Sequence, residues 1–243
     1  MHSVTLLYYL PILTTLISVL FAWRIFTRYR QRGNQGVHLL WWSGGVLVFG
    51  MGTFAEGWIA LFGWNPVIFK FWYIVGALMG GAPLAQGTVW YLLQRKTAYR
   101  LTLGLITVIT IAAICVLLSP INYAVVDPRL PSGKAFTWQW VRAFSPFINT
   151  YAVIFLVGGA LYSAWHFYRH SRGTGKGNQI SRDRFFGNSL IAAGALMPGI
   201  GGVYSRAGHT EILYLMEIIG ITLIWLGYYY NTRKRPVLAP SPT

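Results

Sequence analysis

The chain has 243 residues, 55% of them apolar and only 10% charged, with 20 Lys+Arg against 5 Asp+Glu for a formal charge of +15. Soluble globular chains carry roughly 25% charged residues, and disordered basic segments are poor in aromatics, whereas this sequence holds 11 Trp, 15 Tyr and 14 Phe. Soluble enzyme, disordered binder and compact nucleic-acid-binding domain are set aside on these grounds, and an integral membrane protein remains.

A bilayer core about 30 Å thick is crossed by a helix of about 20 apolar residues. Seven runs reach that length in chain order: Val4–Phe26, His38–Gly63, Val67–Leu93, Tyr99–Ser119, Pro146–Tyr168, Arg184–Tyr204 and Thr210–Tyr230. The sequence therefore predicts an all-α fold, a single-domain seven-transmembrane helix bundle over residues 1–243. A membrane β-barrel needs short alternating strands, and these unbroken runs are too long for that.

The first run lacks a basic leader and an obvious small-residue cleavage site, so it is expected to be a retained helix and not a removed signal peptide. Only Trp64-Asn65-Pro66 separates the second and third runs, which makes them antiparallel neighbours. The third carries Gly76 and Gly80 at the GxxxG spacing of close helix packing. It also holds Pro83, expected to free a backbone carbonyl one turn before Gln86. In the fourth, the lone Cys115 has no partner for an intrachain disulfide and reads as a small hydrophobe. The long connection Pro120–Ser145 contains the turn signals Asp127-Pro128-Arg129 and Pro131-Ser132-Gly133. Its alternating Phe136, Trp138 and Trp140 either lie on the bilayer surface or cap the bundle. The sixth run holds Met197-Pro198-Gly199-Ile200-Gly201-Gly202, which either breaks the helix beside a cavity or kinks it for packing; kinks without function are the commoner case.

Fifteen of the basic residues fall in one set of connections and ends: Arg24, Arg28, Arg30 and Arg32; Arg95, Lys96 and Arg100; Arg169, Arg172, Lys176, Arg182 and Arg184; Arg233, Lys234 and Arg235. The opposite set holds five, Lys70, Arg129, Lys134, Arg142 and Arg206. Lys and Arg concentrate on the cytoplasmic side, so the N-terminus is expected outside and the C-terminus in the cytoplasm. Basic loops beside anionic head groups account for the +15, and no nucleic-acid partner is called for. Trp41 and Trp42 near one boundary, and Trp58, Trp64 and Trp72 near the other, read as interfacial belts.

A 3+1+3 repeat is a further expectation. Ala22-Trp23-Arg24 is echoed by Ala164-Trp165-His166, and the Arg95-Lys96 exit of the third span by Arg233-Lys234 after the seventh, at offsets of about 140 residues. Repeats of this kind occur in some transporters.

Ionisable groups inside a bilayer are costly and face the bundle interior or a water cavity. Two acids qualify. Glu56 lies seven positions before Gly63, and Glu217 eight after His209, so both sit roughly 10–12 Å below the same boundary at 1.5 Å per residue. Glu56 shares a helix face with Gly45, Phe49, Gly52 and Thr53; Glu217 shares one with Tyr214, Gly220, Ile221 and Ile224. A neighbouring carboxyl opposes double ionisation, so such a pair is suited to carry a proton, bind a cation or hold a basic ligand group. The plainer alternative is that each glutamate is a separate structural fastener. Gln86, Tyr214, Arg206 and His209 complete the set of candidate binding residues, the last two with Glu211 as a cluster at the outer mouth. Asn149 and Asn188 are further polar residues near span ends.

No metal, haem or nucleotide site is indicated. His166 and His170 share a helix face but lie at a span end among arginines, and no His lies deep enough for haem ligation across the bundle. No catalytic triad spacing stands out.

In topology and span count the chain resembles microbial rhodopsins, but the last span has no Lys for a retinal linkage before Lys234. It shares size and span count with the small three-plus-one-plus-three sugar transporters, although Pro11, Pro83, Pro146 and Pro198 do not match their paired prolines. Its overall texture resembles bacterial heptahelical membrane proteins and the seven-span sensor regions ahead of some histidine kinases. That resemblance covers all seven spans, rests on no specific motif and carries over no functional residue.

These readings lead to a multi-pass protein of a bacterial-type cytoplasmic (inner) membrane, in contact with the lipid bilayer. Its expected role is that of a binding, sensory or accessory subunit with an outward-opening polar site near Glu56 and Glu217. A small-molecule ligand or a larger membrane complex is the expected partner. The first alternative is a proton- or cation-coupled small transporter using the same carboxyls. The second is a membrane enzyme acting on a lipid-soluble substrate. No cofactor follows from the sequence.

Overall fold

Where water is absent, apolar stretches of this length satisfy their backbone groups by coiling on themselves. The structure, a computed structural model, describes residues 6–127, 131–170 and 176–233. Among them seven helices are long and apolar enough to cross a membrane. They are α1 (Leu10–Gln31), α2 (Val37–Phe62), α3 (Pro66–Leu92), α4 (Arg95–Leu118), α5 (Gln139–His170), α6 (Lys176–Arg206) and α7 (Thr210–Thr232). The protein is an all-helical, multi-pass membrane protein; among the described residues the β contribution is one bridge between Ile121 and Phe136. Val4, Pro128, Arg129, Arg172, Lys234 and Arg235, which entered the sequence reading, lie outside the described residues.

Six helices close a ring in the order α1, α2, α3, α5, α6, α7 and back to α1, while α4 packs from outside against α3 and α5. The two triples α1–α3 and α5–α7 thus share the interior. One end of the ring carries the start of α1, the turn at residues 63–65 and the loop at residues 119–138; it is called here the N-terminal end. The other, the basic end, carries Arg28 and Arg32, the start of α6 and the close of α7.

Glycines set the helix spacing. A Cβ on Gly52 would stand 3.1 Å from Gly76 Cα, and one on Gly50 would stand 2.8 Å from Ser18 Cβ, so α2 approaches both α3 and α1 closely. Thr15 and Thr53 share a 2.9 Å hydrogen bond across the α1–α2 seam. Small residues with short polar side chains are the usual glue of helices in lipid.

α3 is interrupted. A π-helical stretch, Tyr73–Met79, ends at Gly80, whose φ of +40° suits glycine, and a fresh helix starts at Ala82 with Pro83 in its first turn. Proline is well placed there, since its missing N–H would have had no partner. The break turns the Ala77 carbonyl sideways, where it accepts from Ser145 Oγ (2.6 Å) and Asn149 Nδ2 (3.0 Å) of α5. Asn149 is therefore the fastener that caps the break. α5 carries its own π-helical stretch at Val153–Val157.

α6 behaves otherwise. It runs through Pro198 without interruption, so of the two alternatives at Met197–Gly202 the broken helix is absent. Pro198 cannot donate to the Gly194 carbonyl one turn back. That oxygen instead faces Gly220 of α7, which presents only hydrogens to it; a Cβ on Gly220 would lie 2.8 Å away.

The long loop caps the bundle in part. Phe136 is fully buried, 4.9 Å from the Phe69 ring and 4.8 Å from the Tyr73 ring. Trp138 and Trp140 point outward and stack on each other. Capping thus applies to Phe136, while the two tryptophans face outward.

Candidate functional site

Glu56 on α2 and Glu217 on α7 are brought together. Both are buried, at 4% and 7% exposure, and their carboxyls lie within hydrogen-bonding reach of each other. α1 packs against both α2 and α7, so the two side chains meet behind it, inside the ring. The depth arithmetic from opposite helix ends thus leads to one place.

Trp72 of α3 completes the group. Its indole Nε1 donates to Glu56 Oε1 at 2.9 Å. The same indole lies 3.5 Å from where a Cβ on Gly76 would stand. Trp72, half-buried, thus turns its indole inward to an acid. Trp58 is exposed and grouped with Phe54 and Phe62.

The second oxygens, Glu56 Oε2 and Glu217 Oε2, are buried without a donor among the described residues. Two carboxylates have no hydrogen to share. A hydrogen bond between them requires at least one proton on the pair. Tyr214 lies one turn before Glu217, almost fully buried. Thr53 lies one turn before Glu56 and is tied to Thr15. The short 3-10 turn Leu6–Tyr9 packs against α2 and α7 at the same end.

The remaining candidates lie elsewhere. Arg206 and His209 are exposed on the α6–α7 connection, with His209 Nδ1 3.4 Å from Glu211 Oε1. Six residues, about 9 Å of helix, separate Glu211 from Glu217, so the mouth cluster is a surface feature apart from the pair. Gln86 belongs to a different network. Its Nε2 donates to Thr102 Oγ1 (2.7 Å) and the Ala98 carbonyl (3.3 Å), and its Oε1 accepts from Tyr151 Oη (2.5 Å). Trp90 Nε1 adds a bond to the same Thr102 oxygen. Both ends of the amide are engaged, and the network pins α4 to α3 and α5. Gln86 is thus a fastener in this structure, and it lies outside the carboxyl site.

One feature of the interior has no counterpart in the sequence reading. A cavity of about 280 Å³ opens at the basic end, lined by all six ring helices. Trp42, expected in a belt, lines its wall, folded over Gly87 and set edge-on to His38. The signal was present as Arg28, Arg32 and Arg184, but these count equally as topology determinants. Among the described residues no group of three His, Cys, Asp or Glu is placed to hold a metal ion. No protein-family model, curated protein or solved structure matches the chain.

Proposed function

We propose that this protein is a binding subunit, of the sensory or accessory kind, in a bacterial-type cytoplasmic membrane, with its N-terminus outside and its C-terminus in the cytoplasm. Its responsive element is the Glu56–Glu217 pair, which holds a proton near the outer face. One observation carries this reading. Two carboxyls from distant parts of the chain lie within hydrogen-bonding reach in the bundle interior, and the Oε2 of each is buried without a donor among the described residues. Such an arrangement is costly in lipid, and proton exchange is the chemistry it suits. The ligand or partner complex acts by changing how easily the pair opens to the outside.

Infrared spectroscopy of the protein in deuterated-water lipid nanodiscs tests the pair directly. A carboxylic-acid carbonyl stretch is expected near neutral pH, and it should vanish when both Glu56→Gln and Glu217→Gln are present. The other acids, Asp127, Asp183 and Glu211, sit in loops or near helix ends, so assignment is simple. Folded wild-type protein without this band has no shared proton, and the reading fails.

The cavity supports a second reading, proton-coupled transport, because α2, α3 and α7 contribute side chains both to it and to the pair. Val46 and Ile224 line the cavity, and by helical rise they lie about 10–15 Å from Glu56 and Glu217. Proteoliposomes loaded with a pH-sensitive dye should then show a proton flux that Glu217→Gln abolishes. An undiminished flux in that variant eliminates the coupled mechanism.

A further inference from the structure

We propose that the cavity at the basic end is a binding site for an amphipathic organic anion, with one carboxylate or phosphate head at an arginine rim and a short apolar body in the interior. The argument starts from charge. Arg28 of α1, Arg32 just past its end, Arg184 of α6 and His38 of α2 line the cavity, and among the described residues no acid does. The acid next to Arg184 in sequence, Asp183, pairs with Arg233 through two bonds of 2.5 and 3.2 Å. The rim therefore gathers three guanidinium groups around one opening. Guanidinium forks bind carboxylate and phosphate oxygens two at a time.

The interior is apolar. Phe21, Ile25, Val46, Leu84, Leu156 and Ile224 contribute from α1, α2, α3, α5 and α7. The wall nevertheless carries unsatisfied polarity at one place. The Tyr228 hydroxyl is buried and lacks a hydrogen-bond partner of proper geometry among the described residues. Arg28 sits beside it, 5.9 Å from the ring centroid and within reach of that hydroxyl, and gives one long bond of 3.4 Å to the Thr232 carbonyl. A guanidinium has five donors, so most of those on Arg28 are available to an incoming anion. An acceptor lodged between Arg28 and Tyr228 satisfies both groups at once.

Size narrows the ligand. The volume of about 280 Å³ is near the lower bound of about 300 Å³ for small-molecule pockets. A single short chain or one ring fits, whereas both chains of a diacyl lipid do not. The head chemistry is common to a membrane-derived single-chain amphiphile and to a water-soluble organic anion. This site lies at the end of the bundle opposite the carboxyl pair and uses none of its residues.

The test uses delipidated full-length protein in an uncharged maltoside detergent. Decanoate, decyl phosphate, decanol and decyltrimethylammonium are compared at equal concentration by thermal shift, with 3-phenylpropanoate as a soluble, ring-bearing probe. The anions are expected to raise the Tm, while decanol and the ammonium compound do not. Arg28→Gln should weaken decanoate binding by about tenfold or more, as loss of a charge-assisted hydrogen bond implies. Ser163 of α5 also lines the cavity; Ser163→Phe fills it while keeping every rim charge, and should abolish the shift in a protein that remains folded. Lys96→Gln, a basic residue outside the cavity, should bind as wild type does. A shift from decanoate alone identifies a membrane-derived amphiphile, and a shift from phenylpropanoate as well identifies a soluble anion. Equal shifts from anion, alcohol and ammonium overturn the proposal. So does an anion shift that survives both Arg28→Gln and Ser163→Phe.

Discussion

Gly227→Val is expected to leave little folded protein in mild detergent, and Gly194→Val the same. Both positions lie on the α6–α7 seam, where glycines recur every seven residues: Gly187, Gly194 and Gly201 on α6, Gly220 and Gly227 on α7. The contacts are reciprocal. A Cβ on Gly194 would stand 2.6 Å from the Gly220 carbonyl oxygen, and one on Gly220 2.8 Å from that of Gly194. A Cβ on Gly227 would collide with the Gly187 carbonyl, and one on Gly187 would stand 2.8 Å from the Gly227 carbonyl. These neighbours are backbone, so no rotamer change relieves the clash, and the two helices must separate. Overfilling a packed interior costs about 1–3 kcal/mol per site, and separating a whole seam forfeits many dispersion contacts besides. Gly199 provides the control on the same helix. Nothing lies within 4 Å of its Cβ position, and alanine is the better helix former. Gly199→Ala should therefore match or exceed wild-type Tm, while Gly194→Ala lowers it. A Tm unchanged in both Gly194→Val and Gly227→Val would mean that the two helices do not meet along this seam.

The spans were legible because lipid leaves the chain so few options, yet their ends were not. The seventh run was read as Thr210–Tyr230 and is Thr210–Thr232; the second was read as His38–Gly63 and is Val37–Phe62. The sixth was read from Arg184, but its helix begins at Lys176. Hydropathy finds the part of a helix that sits in lipid, whereas hydrogen bonding carries the helix on through polar residues at the boundary. The first run shifts similarly, from Val4–Phe26 to a helix over Leu10–Gln31. Proline was the least transparent signal. Pro198 is accommodated because a glycine on the neighbouring helix receives the carbonyl it frees, while α3 breaks at Gly80–Gly81, just ahead of Pro83. Which of the two helices breaks depends on what stands opposite, and the opposing helix is remote in sequence.

The same division holds for the site. That Glu56 and Glu217 lie at one depth was readable, since depth is counted along a single helix; that their side chains meet was not, since it depends on which helix faces stand opposite each other. Trp72 was not readable as their partner, because its indole reaches an acid on another helix, and which helix stands opposite is not counted along α3. The cavity was hidden for a similar reason. Its lining comes from six helices, with no more than a few residues from each, and the arginines on its rim serve topology equally well in any arrangement.

The carboxyl pair should reveal itself in a double-mutant cycle on stability. Glu56→Leu removes the acceptor of the Trp72 indole and also the carboxyl beside Glu217, so it strands two buried polar groups. Glu217→Leu strands one, because Glu56 keeps its bond from Trp72. An unsatisfied buried group costs about 1–3 kcal/mol, so Glu56→Leu is expected to be the more damaging single change. In the double variant no carboxyl remains to be left alone, and only the indole lacks its acceptor. The double variant should therefore be no less stable than Glu56→Leu by itself, with a coupling of about 1–3 kcal/mol, the range for directly interacting residues. Glu217→Gln offers a complementary check. Its amide can donate to Glu56 without any shared proton, so it should hold the fold together while removing the titrating group. Unfolding in mixed micelles, followed by tryptophan fluorescence and by retention of the folded species on a sizing column, measures all four corners. Strict additivity of the two leucine substitutions would mean that the glutamates are independent fasteners, and a severe loss of stability in Glu217→Gln would mean that the proton itself holds the two helices in place.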